Sequence, residues 1–152
     1  MSIMWKYLDK KNGTIQAIKD YDSMQFIIDT TDEKIKNEET SMVSVRSPGM
    51  DGMPHAHDPH AGEDRIVKGI EEIDILKERY RQAVEFMNWY QPAWNQLSDD
   101  EQDVLATFYG SNNYGDGAVD QIAELYHIER ASAYRKKNRA LDHFTVLLFG
   151  KE

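Results

Sequence analysis

Between Glu129 and His143 the chain places five basic side chains, Arg130, Arg135, Lys136, Lys137 and Arg139, against two acidic ones, Glu129 and Asp142. Guanidinium and ammonium groups at this density, interleaved with Ser132 and Tyr134, suit a polyanion. The cations neutralise phosphates, and hydroxyls hydrogen-bond phosphate oxygens or base edges. The rest of the sequence has the opposite sign: 18 basic residues stand against 27 acidic ones, for a net charge of −9. Such a chain is not a general nucleic-acid binder. A local positive face on an acidic molecule predicts weak non-specific binding and strong salt sensitivity, because few phosphates are neutralised.

A second cluster, His55, His57, Asp58 and His60, carries donor types that hold zinc. It approaches an HxHxDH pattern, but the aspartate falls one place early and Pro59 fills its slot. The expectation is a solvated loop with no resident metal. No Ser, His and Asp set stands at a spacing that would make a nucleophile and its base. The glycine-rich stretch Gly110–Gly117 lacks the Lys-Ser/Thr of a phosphate loop. There are no cysteines, which excludes disulfide frameworks, thiol catalysis and thiolate metal sites and fits a reducing cytoplasm. The expectation is a non-enzymatic protein without cofactor.

The basic cluster needs elements to position it. In Val119–Arg135, Ile122 and Ala123 fall on one helix, Ile128 follows Ala123 by five residues and Ala133 by ten. Two helices joined by a tight turn need this arrangement. A small Ala lets the second helix cross the first closely, an apolar residue plugs the turn, and a small residue early in the second helix completes the contact. The turn position after Tyr126 is usually Gly, because the backbone takes positive φ there; here it is His127, which tolerates that region at some cost. Upstream, Ser98-Asp-Asp-Glu101 is a capping box, with Val104, Leu105 and Phe108 at helical spacing behind it. Gly110–Gly117 is turn chemistry. Short helices are predicted from Ser98, from about Ala118 to Leu125, and from about Glu129 to Phe144 and on toward Leu148.

The first part of the chain is different. Residues 1–39 are predicted helical with a break at Asn12-Gly13, and 40–63, rich in Pro and Gly, a flexible loop. Residues 64–94 hold apolar side chains at seven of nine places in the row 66, 70, 73, 77, 80, 84, 87, 91, 94. Alternating steps of three and four make this a coiled-coil template. Asp64 is predicted to cap this helix and Pro92 to end or kink it. Its stripe would pack on the N-terminal helix as an antiparallel hairpin, or on a second copy. Trp89, Tyr90 and Trp94 would pack the hairpin on the C-terminal part; a partner-binding patch is the alternative. No apolar run is long enough to span a membrane, and the opening residues carry no signal-peptide pattern.

Residues 97–149 resemble the promoter-reading region four of sigma-70-type factors. The resemblance rests on Leu97-Ser-Asp-Asp-Glu-Gln-Asp-Val-Leu, Ile122-Ala-Glu-Leu, Ile128-Glu-Arg and Arg139-Ala-Leu-Asp-His-Phe. More loosely, with Tyr7-Leu8, Ser47-Pro-Gly and two long helices, the whole chain is similar to small phage proteins related to the RinA and ArpU type of late-gene transcriptional regulators. The resemblance implies a bacterial host cytoplasm and DNA contacts at Arg130, Ala131, Tyr134 and Arg135. Ala131 offers no hydrogen bond, and Tyr134 stands where such factors usually have a basic residue, so the sequence read differs from the standard promoter element.

These readings converge on an all-α fold: a helical hairpin (1–39 and 64–94), a loop (40–63) and a helix-turn-helix domain (97–149). The expected function is transcriptional regulation through double-stranded DNA, with Arg130, Ser132, Tyr134, Arg135, Lys136, Lys137 and Arg139 as contacts. The hairpin would supply homodimerisation or a contact with host RNA polymerase. Two alternatives remain: a phage DNA-packaging protein of the small-terminase kind, which a ring-shaped oligomer would favour, and a sigma-mimicking interaction module that does not touch DNA.

Overall fold

The computed structural model describes residues 8–44, 60–110 and 117–151. All regular structure among them is helical, so the fold is all-α: α1 (Lys10–Ser44), α2 (Ala61–Asn95), α3 (Asp99–Tyr109), α4 (Ala118–Tyr126) and α5 (Arg130–Phe149). No helix among the described residues is long and apolar enough to cross a membrane. The chain divides into two compact units. One comprises residues 1–24 and 86–152, the other residues 25–85, so α1 and α2 each contribute a part to both.

Three local expectations change. The helix does not break at Asn12-Gly13. Asp9 accepts from the Asn12 backbone N–H at 3.1 Å and from its side-chain amide at 2.7 Å, and the Gly13 N–H bonds the Asp9 carbonyl at 3.0 Å. The dipeptide therefore lies in the first turn of α1, where the Asp9 side chain satisfies an otherwise unpaired amide. Gly13 is there for space: a Cβ would lie 3.1 Å from the Phe149 ring. Likewise, of the two expectations for Pro92, that it ends the helix does not hold: α2 runs on to Asn95. Proline removes one donor, but the residue whose carbonyl loses its partner, Asn88, is exposed and solvent can satisfy it. Finally, α2 begins at Ala61, so Asp64 is a first-turn residue rather than a cap. Helix also extends into both ends of the 40–63 stretch, to Ser44 and from Ala61, while 45–59 lie outside the described residues.

The stripe on α2 is shifted in phase. The buried positions are Gly69, Ile73, Leu76, Ala83, Tyr90 and Ala93, followed by Leu97 just past the helix, with Met87 and Trp94 half-buried. The row 69, 73, 76, 80, 83, 87, 90, 94, 97 keeps steps of four and three but shares only one of its two heptad positions with the row predicted from sequence. Ile70, Lys77 and Val84 flank the buried row instead, and Ile70 is 51% exposed. Gly69 holds the row because the Met42 side chain of α1 occupies the place where its Cβ would stand.

In the unit of residues 1–24 and 86–152, one cluster joins Ala17 and Ile18 of α1, Tyr90 and Ala93 of α2, Leu105 of α3, and Ala140, Leu141, Phe144 and Leu148 of α5. Tyr90 stacks on Phe86 and Trp94 at 5.3 and 5.8 Å between centroids and meets Phe144 edge-on at 5.2 Å. The Trp89 indole N–H donates to the Leu148 carbonyl at 3.0 Å. Trp89, Tyr90 and Trp94 are thus packing residues against α5. Fully burying a side chain such as Tyr90 contributes about 1.5–3 kcal/mol, and less for Trp89, which is 39% exposed. A second cluster, Val104, Val119, Ile122 and Ala133, ties α3 and α4 to the start of α5. Neighbouring residues of α3, Val104 and Leu105, serve different clusters, which fixes α3 about its own axis.

Candidate functional site

Most of the basic side chains lie in the first half of α5, and the turn before it sets their direction. His127 adopts the left-handed conformation, φ 53° and ψ 48°. Its N–H reaches the Glu124 carbonyl at 3.4 Å, and the Ile128 N–H bonds the Ala123 carbonyl at 2.9 Å. This pair of reversed bonds is a Schellman ending. It brings Ile128 and Ala123 together beside the second cluster. Ala133 is fully buried there, and a larger side chain would push the two helices apart. Glu129, the residue before α5, is extended, and its side chain does not cap the helix. Glu129 therefore leaves the first backbone N–H groups of α5 without its side chain as a cap, at the end where the helix dipole favours an anion.

α3 is fixed just as tightly. Ser98 accepts from the Glu101 N–H at 3.2 Å, and Glu101 accepts from the Ser98 N–H at 3.1 Å. The second oxygen of Glu101 accepts from His143 Nδ1 on α5 at 2.7 Å. Partial burial pushes the Glu101 carboxyl up, but the hydrogen bonds from His143 and Ser98 outweigh it, so the group sits below its ordinary value.

The seven sequence-predicted contacts do not form one face. Ser132, Arg135, Lys136 and Arg139 line a cleft of about 580 Å³ whose other wall includes Ser98, Asp100 and Tyr126. Arg130, Tyr134 and Lys137 occupy the other flank of α5. Arg130 pairs with Asp120 of α4 at 3.1 Å, and the Tyr134 ring lies 6.3 Å from Phe108. The Lys137 ammonium sits 5.3 Å and 5.4 Å from the Phe108 and Tyr134 ring centres.

The cations also differ in how far they are already engaged. Lys136 lies 3.5 Å from Asp100 and 4.3 Å above the Tyr126 ring. The Tyr126 hydroxyl donates to Asp100 at 3.4 Å; burial first, then the Asp100 and Asp103 carboxylates, hold its pKa above the usual value, so the phenol stays protonated. Arg135 folds back on its own helix, donating to the Ala131 carbonyl and the Ser132 hydroxyl at 3.3 Å. Among the described residues, Arg135, Lys137 and Arg139 have no carboxylate partner. Exposed ion pairs such as Arg130–Asp120 contribute only about 0–1 kcal/mol, so they yield readily to a phosphate.

Three features escaped the sequence reading. Asn138 is exposed one turn beyond Arg135; its helical spacing from Ala131 and Arg135 was the available signal. Lys11, in the first turns of α1, pairs with Asp142 of α5 at 3.1 Å. Nothing local in the sequence links those two. Asp100 and Asp120 are the countercharges, which tertiary packing alone brings to the basic residues. Of the histidine cluster, His55 and His57 lie outside the described residues. His60 is exposed, 3.8 Å from Glu63, and no metal-binding group of side chains occurs among the described residues.

The first half of α5 thus carries cations on both flanks, with Asp100 and Asp120 paired to two of them. No protein family, curated protein or solved structure matches this chain.

Proposed function

We propose that this chain is a sequence-reading DNA-binding protein whose α4–turn–α5 element works as a helix-turn-helix, and that it regulates phage or prophage transcription. The class of protein rests on one observation. The left-handed turn at His127 and the buried Ala133 leave Arg130, Ala131, Tyr134 and Arg135 exposed on the first turns of α5, which supports the reading. A helix presented in this way fits the major groove with its N-terminal residues at base edges and its flanking cations at phosphates. The regulatory role and its phage setting rest on the sigma-like sequence pattern of residues 97–149.

A second reading has its own support. Asp100 and Asp120 neutralise part of the basic surface, and the chain as a whole is acidic. Those features favour a sigma-mimicking module that engages polymerase or another protein without DNA.

The experiment that separates the two is a fluorescence-polarisation titration against pooled phage and host upstream fragments at low and moderate salt. Wild type is compared with Arg135→Ala/Lys136→Ala. The DNA reading expects binding to a few fragments that survives moderate salt and is lost in the double variant. Absence of binding at low salt would leave the protein-interaction reading.

A further inference from the structure

Between the two flanks of α5, sharing Arg135 with the cleft side, runs a further row. Positions 131, 135, 138 and 142 follow steps of four, three and four, so Ala131, Arg135, Asn138 and Asp142 lie in line along the helix. All four are exposed. The row differs chemically from its flanks. It carries a methyl group, a guanidinium, a neutral amide and then a carboxylate. Asp142 ends it, because its charge is tied to Lys11 at 3.1 Å. The Asn138 side-chain amide has no hydrogen-bond partner among the described residues, and its donor and acceptor face solvent.

We infer that this row is the base-reading edge of the protein, with Asn138 selecting an adenine, Arg135 a guanine beside it, and the Ala131 methyl group resting on a thymine methyl. The inference rests on the DNA-binding reading above and adds the bases recognised. Each assignment follows from matching groups. An amide side chain pairs bidentately with adenine N6 and N7, a guanidinium with guanine O6 and N7, and a small apolar group with the thymine C5-methyl. Ala131 and Asn138 are separated by ~10.5 Å along the axis at 1.5 Å per residue, which spans roughly three base-pair steps. The recognised element is therefore short, with the guanine and adenine at adjacent or next-adjacent pairs. Lys11 of α1, paired with Asp142 at the end of the row, adds a cation beside it.

Asn138 gives the inference a distinct signature, because a neutral amide adds nothing to phosphate attraction. The full chain is used to select duplexes from a randomised pool, alongside Asn138→Ala and Asn138→Arg. Circular dichroism confirms that both variants fold. Wild type is expected to enrich a motif containing a fixed A·T pair. Asn138→Ala is expected to lose the preference at that pair alone and to bind the wild-type motif roughly 5- to 150-fold more weakly. Its slope of affinity against salt should not change, because no phosphate contact is removed. Asn138→Arg should move the preference at that pair to G·C. Enrichment of an unchanged motif by Asn138→Ala overturns the inference while leaving DNA binding intact. So does an equal loss of affinity for the selected and a scrambled duplex. Failure of wild type to bind any duplex overturns both this inference and the reading it rests on.

Discussion

The two compact units are built from parts of the same long helices and differ in how those helices are held. In residues 1–24 and 86–152, large side chains are removed from solvent on every helix of the unit. Phe144, Leu105 and Ile122 are fully buried, and Tyr90 nearly so. In residues 25–85 the buried set among the described residues is Thr31, Gly69, Ile73, Leu76 and Ala83, while Phe26, Val67, Ile70 and Ile75 are exposed. The hydrophobic effect scales with apolar area removed from water. The first unit therefore holds its helices by its own core, and the second has a narrow seam. The better-packed unit is also the one that carries the basic half-helix, and the proposed reading of DNA needs side chains held in fixed geometry.

The largest expected effect tests this contrast in stability. Phe144→Ala removes the ring that Tyr90 and Trp94 pack against and should cost about 3–5 kcal/mol, read as a lowered denaturation midpoint. Leu76→Ala should cost about 2 kcal/mol, at the low end for such a truncation, with faster amide exchange confined to residues 61–85. Equal effects of the two variants would remove the distinction between the units.

A smaller effect sharpens the account of the basic surface. Asp100→Asn and Asp120→Asn release Lys136 and Arg130 from their partners. Each exposed pair contributes about 0.2–1 kcal/mol, so each variant should bind DNA roughly 1.5- to 5-fold more tightly in a polarisation titration. Unchanged or weaker binding would mean that these cations do not face the ligand.

The cap of α3 gives a pH dependence. Partial burial of Glu101 raises its pKa, but the bonds from His143 and Ser98 prevail and its folded value is depressed. A depressed carboxylate contributes stability above its unfolded value and loses it as pH falls through the folded value. The melting temperature of wild type should therefore exceed that of Glu101→Gln at neutral pH, and the difference should shrink below the ordinary carboxylate range. An effect of similar small size is expected at the turn. His127→Gly relieves a left-handed non-glycine residue at some cost in unfolded-chain entropy, and should stabilise by a few tenths to about 1 kcal/mol.

How much was legible from the sequence follows the range of the interactions. The capping box at Ser98 and the helix ends around His127 are encoded within a few residues, and both are visible as spacing. The need for glycine at position 13 and the phase of the α2 stripe depend on Phe149 and Met42, which no local pattern points to. A 3–4 alternation has two neighbouring phases whenever apolar residues such as Ile66, Ile70 and Val84 lie beside the true seam, and only the partner helix chooses between them. The basic residues were found by composition. The spacing already turns Ala133 inward, so the division into two flanks and the row with Asn138 are open to helical spacing; the countercharges Asp100 and Asp120 come only from tertiary packing.

The central claim is that the first half of α5, in the well-packed unit, is the surface that meets DNA. Backbone amide chemical shifts of the full chain, followed by nuclear magnetic resonance during titration with a selected duplex, test it most directly. The account predicts shifts concentrated at residues 129–139 and near Lys11, with residues 25–85 unaffected at the same duplex concentration. Shifts confined to residues 25–85, or none at α5 while the duplex binds, would contradict it.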